Sequence, residues 1–389
     1  MKAILWKSRI LPLLPLVVAV GLLASPAWAE LSGSTGYGVY ETTLENVDDS
    51  RSYSGGLDVV YAQVASGSAA GKTRCFVRCE DGDWDGSGTF GIQVNMYNYT
   101  SADSNHVLTL ADAGNPYGSG MYTVYSQGLK VDPTPDGSGN RVVWFSMTGN
   151  ASNAGDWYTV TVDPDFSAAG TPVHQFTQPG CWEVEWNPAT GQAFYAGKES
   201  DAWSDPHAIF IYTGGALQEV VRVEGYSCGF AFDPNGNLYA GTYTSIGPAD
   251  QQYVLMFNAA QVANAISSGA TLTATSGTSI ALPSPNAVFL GANDLECDED
   301  GNIYITANGA WDDTYDSDVG YVYRIDAWSG TTPTSMSLIA SGTFTDDSDW
   351  QKALAFDGSS NLAAGGYYDP TNSSQIGNRL YVDQDYWFG

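Results

Sequence analysis

The chain has 389 residues, with 43 Asp and Glu against 14 Lys and Arg and a formal net charge of -29. That balance makes nucleic acid and anionic membrane surfaces poor partners and cations better ones, although excess carboxylate also serves simply to keep an exported protein soluble. Three histidines leave little room for His-rich metal or relay chemistry, and the five cysteines (Cys75, Cys79, Cys181, Cys228, Cys297) leave at least one unpaired within the chain.

The first element in chain order is an export signal. Lys2, Lys7 and Arg9 precede an apolar run that closes on Ala27-Trp28-Ala29, a small-x-small cleavage pattern. Residues 1–29 are therefore expected to be removed, leaving residues 30–389 as one exported domain, periplasmic, at the cell surface or extracellular. The run is short, is interrupted by Pro12 and Pro15 and leads straight into polar sequence, which argues against a retained anchor, and no later apolar run is long enough to span a bilayer.

Beyond it the chain reads as all-β, with one short helical stretch at 258–265. A lone strand is expected at 36–44 (GYGVYETTL). Four more follow between Leu57 and Leu110: LDVVYAQVA, TRCFVRC, TFGIQVNMY and HVLTL. Between the second and third of these lies Asp81-x-Asp83-x-Asp85-Gly86, whose alternate carboxylates and tight turn can wrap calcium. Ile92 stands where an EF-hand needs its twelfth-position Glu, so the loop is not an EF-hand, and an unliganded acidic hairpin is the competing reading. The acidic runs at 311–318 and 345–350 are weaker candidates. Cys75 and Cys79 on one strand would sit about 13 Å apart, too far to bond to each other.

From Leu129 onward a unit recurs: LKVDPTPDGSGNRVVWFS, VEWNPATGQAFYAG (from Val184), FAFDPNGNLYAG (Phe230), LECDEDGNIYIT (Leu295) and LAFDGSSNLAAGG (Leu354). Each is strand, Asp or Asn, turn, strand. The anchors Asp132, Asn187, Asp233, Asp298 and Asp357 are spaced for a four-stranded sheet with loops, and the turn chemistry is local, because Asp or Asn caps its own turn and Gly or Asn tolerates positive φ. The remaining strands of each unit are read as HAIFIYTG and LQEVVRV, QYVLMFN and TLTATSG, GYVYRID and SMSLIAS. Radial repetition of four-stranded units predicts a six-bladed β-propeller. Seven blades are the fallback if residues 121–128 hold more than a connector. The last unit runs out at NRLYVDQDYWFG, so the ring is expected to close by pairing the strand at 36–44 with this C-terminal blade, removing an open edge.

These repeats resemble those of six-bladed propellers of the NHL-repeat and regucalcin/gluconolactonase type, whose inner strands end in Asp-x-x-Gly-Asn before a Leu/Ile-Tyr strand. The resemblance covers about five units and speaks to architecture, not activity.

Aligned on the anchors, the inner strands separate two faces. Val131, Trp186, Phe232, Cys297 and Phe356, with Leu129, Val184, Phe230, Leu295 and Leu354, are expected in the core between blades. The alternate positions face the axis. There Gly128, Gly229, Ala231, Ala353 and Ala355 are small, whereas Lys130, Glu183, Glu185, Asp294 and Glu296 are charged. Carboxylates this close bind a cation, pair with Lys130, or raise one another's pKa, so the axis is either a metal or polar-ligand site or a water-filled polar channel. The gluconolactonase resemblance implies an axial divalent metal held by Glu, Asn and Asp, and Asp294 falls where that family places its metal-binding Asp. The match stops there, since Gly229 and other small residues occupy the Asn positions and Asp294 is followed by Leu295.

Cys181 and Cys228 precede consecutive anchors by five or six residues, which suggests a cross-blade disulfide, with two separate buried thiols as the alternative. No CxxCH, GxSxG, HExxH or phosphate-cradling glycine loop is present, so haem and nucleotide cofactors are not expected, and His106, His174 and His207 lie apart. Tyr and Trp, including Tyr367-Tyr368 and Tyr386-Trp387, serve blade packing or a sugar- or protein-facing patch. The sequence therefore predicts a non-catalytic extracellular or cell-surface recognition or structural module, with a protein or carbohydrate ligand or other copies of itself as partner and calcium as the one cofactor foreseen. The alternative is a metal-dependent hydrolase, lactonase-like, or a lyase with its site on the axis.

Overall fold

Short runs of alternating apolar and polar residues, each closed by Gly, Asn or Asp, form strands that bury one or both faces against neighbouring sheets. In a computed structural model of the chain, the described residues are 38–42, 54–62, 73–80, 92–98, 106–113, 124–125, 128–149, 155–164, 166–198, 200, 206–223, 229–241, 253–281, 292–298, 301–308, 318–325, 336–344, 354–357 and 379–383. The export signal lies outside them. Among them no helix is long and apolar enough to cross a membrane.

Strand β1 (Gly38–Thr42) comes first, and a first antiparallel sheet follows from β2 (Ser54–Ala62), β3 (Thr73–Glu80), β4 (Ile92–Asn98) and β5 (His106–Ala113). The second holds β6 (Val124–Tyr125), β7 (Leu129–Val131), β8 (Arg141–Gly149), β9 (Gly155–Val162) and β10 (Val173–Thr177). Residues 121–128 thus hold more than a connector, but β6 joins the far end of β8 in this same sheet and founds no further one. The third sheet is β11 (Glu183–Trp186), β12 (Ala193–Lys198), β13 (His207–Thr213) and β14 (Ala216–Arg222). The fourth is β15 (Phe230–Phe232), β16 (Leu238–Gly241), β17 (Tyr253–Phe257) and, after helix α1 (Ala259–Ser268), β18 (Thr278–Ala281). The fifth is β19 (Ala292–Cys297), β20 (Ile303–Asn308), β21 (Asp318–Ile325) and β22 (Ser337–Phe344). Strands β23 (Leu354–Asp357) and β24 (Arg379–Asp383) pair antiparallel, and β1 adds to β24 in parallel, Gly38 opposite Arg379. The N-terminal strand thus meets the C-terminal sheet as the sequence predicts.

One strand of each sheet, the first in chain order except in the second sheet where it is β7, lies beside its counterpart in the next: β2 by β7, β7 by β11, β11 by β15, β15 by β19, β19 by β23, and β23 by β2 again. This cyclic order is that of a β-propeller, and it puts the hydrophobic layers between sheets. Val60, Val77, Val94 and Leu110 of the first sheet pack on Leu129, Val143, Phe145 and Val160 of the second. Phe194, Ile209 and Val221 of the third pack on Phe230, Phe232 and Leu255 of the fourth. Leu129, Val131, Val184, Phe230, Phe232 and Leu295 are buried as expected, while Trp186 and Cys297 are only partly covered.

The Asp turns follow their predicted chemistry. Asp233 Oδ1 accepts from the Asn235 and Asn237 amides and its Oδ2 from Asn237 Nδ2 at 2.7 Å, with Gly236 at φ 81°. Asp298 holds Asn302 in the same way. In the second sheet the loop is longer, and Asp136 rather than the anchor Asp132 grips Asn140 by both backbone and side chain.

Two elements differ from expectation. TLTATSG (271–277) is not the fourth strand of its sheet; β18 begins after it. The segment instead reaches the neighbouring sheet, where Leu272 donates to Val220 O at 2.9 Å and accepts from Arg222 N at 2.8 Å. Together with α1, whose Ala265 and Ile266 carbonyls accept from Gln218, it covers the outer edge of β14, which would otherwise offer unpaired backbone groups. The helix itself runs one turn longer than foreseen, from a capping box at Asn258 and Gln261 to a left-handed Gly269 at φ 69°.

Candidate axial site

The first strand of each sheet is an edge, so its outward backbone N–H groups face the axis with no ladder partner. Carboxylates from the preceding sheet fill that need. Asp58 Oδ2 on β2 accepts from Val131 N on β7 at 2.9 Å, and Glu183 Oε2 on β11 accepts from Phe230 N on β15 at 2.9 Å. These bonds tie neighbouring sheets together at the hub.

One level away, Lys130 on β7 reaches two carboxylates. Its Nζ lies 2.6 Å from Glu185 Oε1 on β11 and pairs with Glu296 Oε1 on β19, a strand 166 residues further along. The side chains of Lys130, Glu185 and Glu296 are only 16%, 13% and 12% exposed. Lys130, Glu185 and Glu296 of the expected axial residues thus meet, the ammonium bridging β11 and β19, which are not neighbouring strands. Between β11 and β19 the corresponding positions carry the small Gly229, just before β15, and Ala231 within it.

Burial works against the Lys130 ammonium, but Glu185, Glu296 and Asp58 outweigh it and hold the pKa well above the usual lysine value. Burial pushes Glu185 up to about 7 against the opposing pull of Lys130. Burial also raises Glu296, with Lys130 opposing and Glu185 and Asp294 adding to the rise, and it raises Glu183, reinforced by Asp294 and Glu185. Five carboxylates around one ammonium cannot all stay ionised in so little water, so the site retains protons near neutrality. It can store or release a proton and can hold a cationic group, but among the described residues no three His, Cys, Asp or Glu side chains are grouped as a metal-ligand set.

Asp58 is the axial member that the sequence reading missed. Its strand lacks the Asp-turn motif on which the others were aligned, so its register was invisible. The remaining predicted sites are described only in part. Asp81, Asp83 and Asp85, Cys228, and the paired aromatics at 367–368 and 386–387 lie outside the described residues. Cys181 is buried with Sγ 3.4 Å from Met147 O and 3.6 Å from Asp156 O, both on the second sheet. His174 pairs with Asp156 Oδ1 at 2.8 Å on an outer strand.

No protein-family model matches the chain, and no curated protein matches it in sequence. Among solved structures it is similar to an α-L-arabinofuranosidase from Fusarium graminearum in complex with an iminosugar inhibitor, with 11% identity, TM-score 0.45, and 76% of this chain and 79% of that one covered. It is also similar to Chaetomium thermophilum Sqt1 bound to the N-terminus of ribosomal protein L10 (12%, TM-score 0.36, 83% and 70% covered) and to a B. megaterium levansucrase mutant (10%, TM-score 0.38, 79% and 92% covered). At these values the likenesses carry neither substrate nor activity to this chain.

Proposed function

We propose that the chain is an exported six-bladed β-propeller, with β23, β24 and β1 as its sixth blade, that serves as a non-catalytic recognition or structural module at the cell surface or outside the cell. Its partners are an extracellular protein, a carbohydrate, or further copies of itself. The acidic loop at Asp81, Asp83 and Asp85 binds calcium and stabilises the first blade. The observation that carries the non-catalytic reading is the position of Lys130, whose ammonium takes the centre between Glu185 and Glu296. In the resembled gluconolactonases that region holds a divalent metal; here a fixed internal cation already offsets the carboxylates.

A second reading, a metal-dependent hydrolase on the axis, draws support from Asp294 at its family-like position and from Glu185, whose pKa of about 7 suits a proton acceptor. Two measurements separate the readings. Metal analysis after mild chelation, followed by calcium titration, is expected to find calcium that is lost on replacing Asp81, Asp83 and Asp85 with Asn. A screen of lactones and uronides with added divalent metal is expected to find no turnover; activity that vanishes in Asp294→Ala would overturn the proposal.

A further inference from the structure

His207 opens β13 at the end of the third sheet where one sheet passes to the next. It is fully buried, yet neither ring nitrogen has a hydrogen-bond partner. Its ring stacks on Trp182, 5.1 Å between centroids and tilted by 25°, within the hydrophobic layer shared by the third and fourth sheets. Across the strand pair it stands opposite Lys198, which is 2% exposed.

On the two strands beside it the described residues place Lys198 and Arg222. From β12, Lys198 faces it. From β14, Arg222 is engaged by Glu219 at 2.9 and 2.8 Å. From the stretch leading into β11 comes Trp182, stacked on the ring, and Glu183 just beyond it accepts from Phe230 N. A neutral imidazole fits such a place at modest cost. An imidazolium there would carry two N–H groups with no acceptor among the described residues and a lysine beside it, which burial in low dielectric makes costly.

We propose that His207 is an acid-sensitive latch on the seam between the third and fourth sheets: neutral, it completes the buried layer with Trp182; once a solvent proton adds to its free ring nitrogen, it leaves the seam and that end of the layer opens. Burial and the Lys198 charge lower its pKa well below the ordinary histidine value, in keeping with the geometry. The latch is coupled to the axis through the backbone. Trp182 N donates to Ala196 O at 3.0 Å, and the next residue is Glu183, which holds the first strand of the fourth sheet. The latch does not depend on the recognition role proposed above.

The sign of the effect is fixed by linkage. The unfolded histidine takes up its proton below about pH 6.5 and the folded one only at lower pH, so the stabilisation is complete above about pH 6.5 and is lost as pH falls toward the folded value. The axial carboxyls shift the opposite way, so a global melting temperature mixes the two and a local readout is needed. Hydrogen exchange on the full chain, corrected for intrinsic rates, reports on two amides at the latch, Lys198 N bonded to Pro179 O and Val223 N bonded to His207 O, both at 2.7 to 2.9 Å. Between about pH 8 and about pH 5 their opening is expected to rise by about tenfold per unit of pKa depression crossed, with quenching of Trp182 fluorescence. His207→Phe is expected to abolish both changes, and His174→Gln to leave them intact. Exchange at these amides that ignores pH in the unaltered protein, or that responds equally in His207→Phe, would overturn the proposal. Should His207→Phe fail to fold, NMR titration of the unaltered protein decides, because a His207 ring that titrates at about 6.5 or above contradicts a latch.

Discussion

Lys130 is the side chain on which most of the axial electrostatics turns. Removing it as Lys130→Met leaves Glu185 and Glu296 buried without their ammonium, and breaking such a pair costs about 3–5 kcal/mol. The loss is expected in urea unfolding near pH 8 and to shrink near pH 5, where the carboxyls are protonated. The unaltered protein has a milder form of the same dependence. Glu185 titrates at about 7 when folded and about 4.3 when unfolded, so its protonated form adds stability that is full below the unfolded value and is lost as pH rises toward 7. Unfolding free energies measured from about pH 4.5 to 8 should therefore show a component that falls with rising pH, and Glu185→Gln should flatten it. The charged residues at the hub were readable because apolar core positions alternate along the aligned strands with positions that are small in some repeats and charged in others. Asp58 and His207 were not, since the role of each comes from sheets brought against it by the tertiary fold.

At the level of elements, the Asp-centred turns were legible because their bonds are local. Asp233 and Asn237, or Asp298 and Asn302, lie four residues apart and need nothing beyond their own hairpin. They are unequal in energetic weight. Asp298 is almost fully buried and also accepts from the Tyr304 hydroxyl at 3.2 Å, whereas Asp132 caps only the Thr134 amide in an exposed loop. Asp298→Ala is accordingly expected to cost about 2–3 kcal/mol and Asp132→Ala about 0.5–1 kcal/mol, compared through their urea midpoints. Equal losses would mean that the buried network contributes nothing beyond a turn. The misread element, residues 271–277, shows the limit of pattern. Alternating Thr and apolar residues suit a strand, but the chain uses them to cover the edge of β14, a demand set by a different sheet.

Across the whole molecule, the repeat spacing predicted four-stranded units, and the five complete sheets follow it in chain order. What spacing could not supply was the direction in which the ends meet. The parallel pairing of β1 with β24 depends on the approach of residues over 330 positions apart, for which no local signal exists. The cyclic order of first strands is also what lets Lys130 reach Glu296 across the hub. That reach is the central claim, and a double-mutant cycle on Lys130→Met and Glu296→Gln tests it most directly. The account predicts a coupling energy of about 1 kcal/mol or more near neutral pH, whereas additivity within about 0.5 kcal/mol, as found for side chains that do not touch, would contradict it.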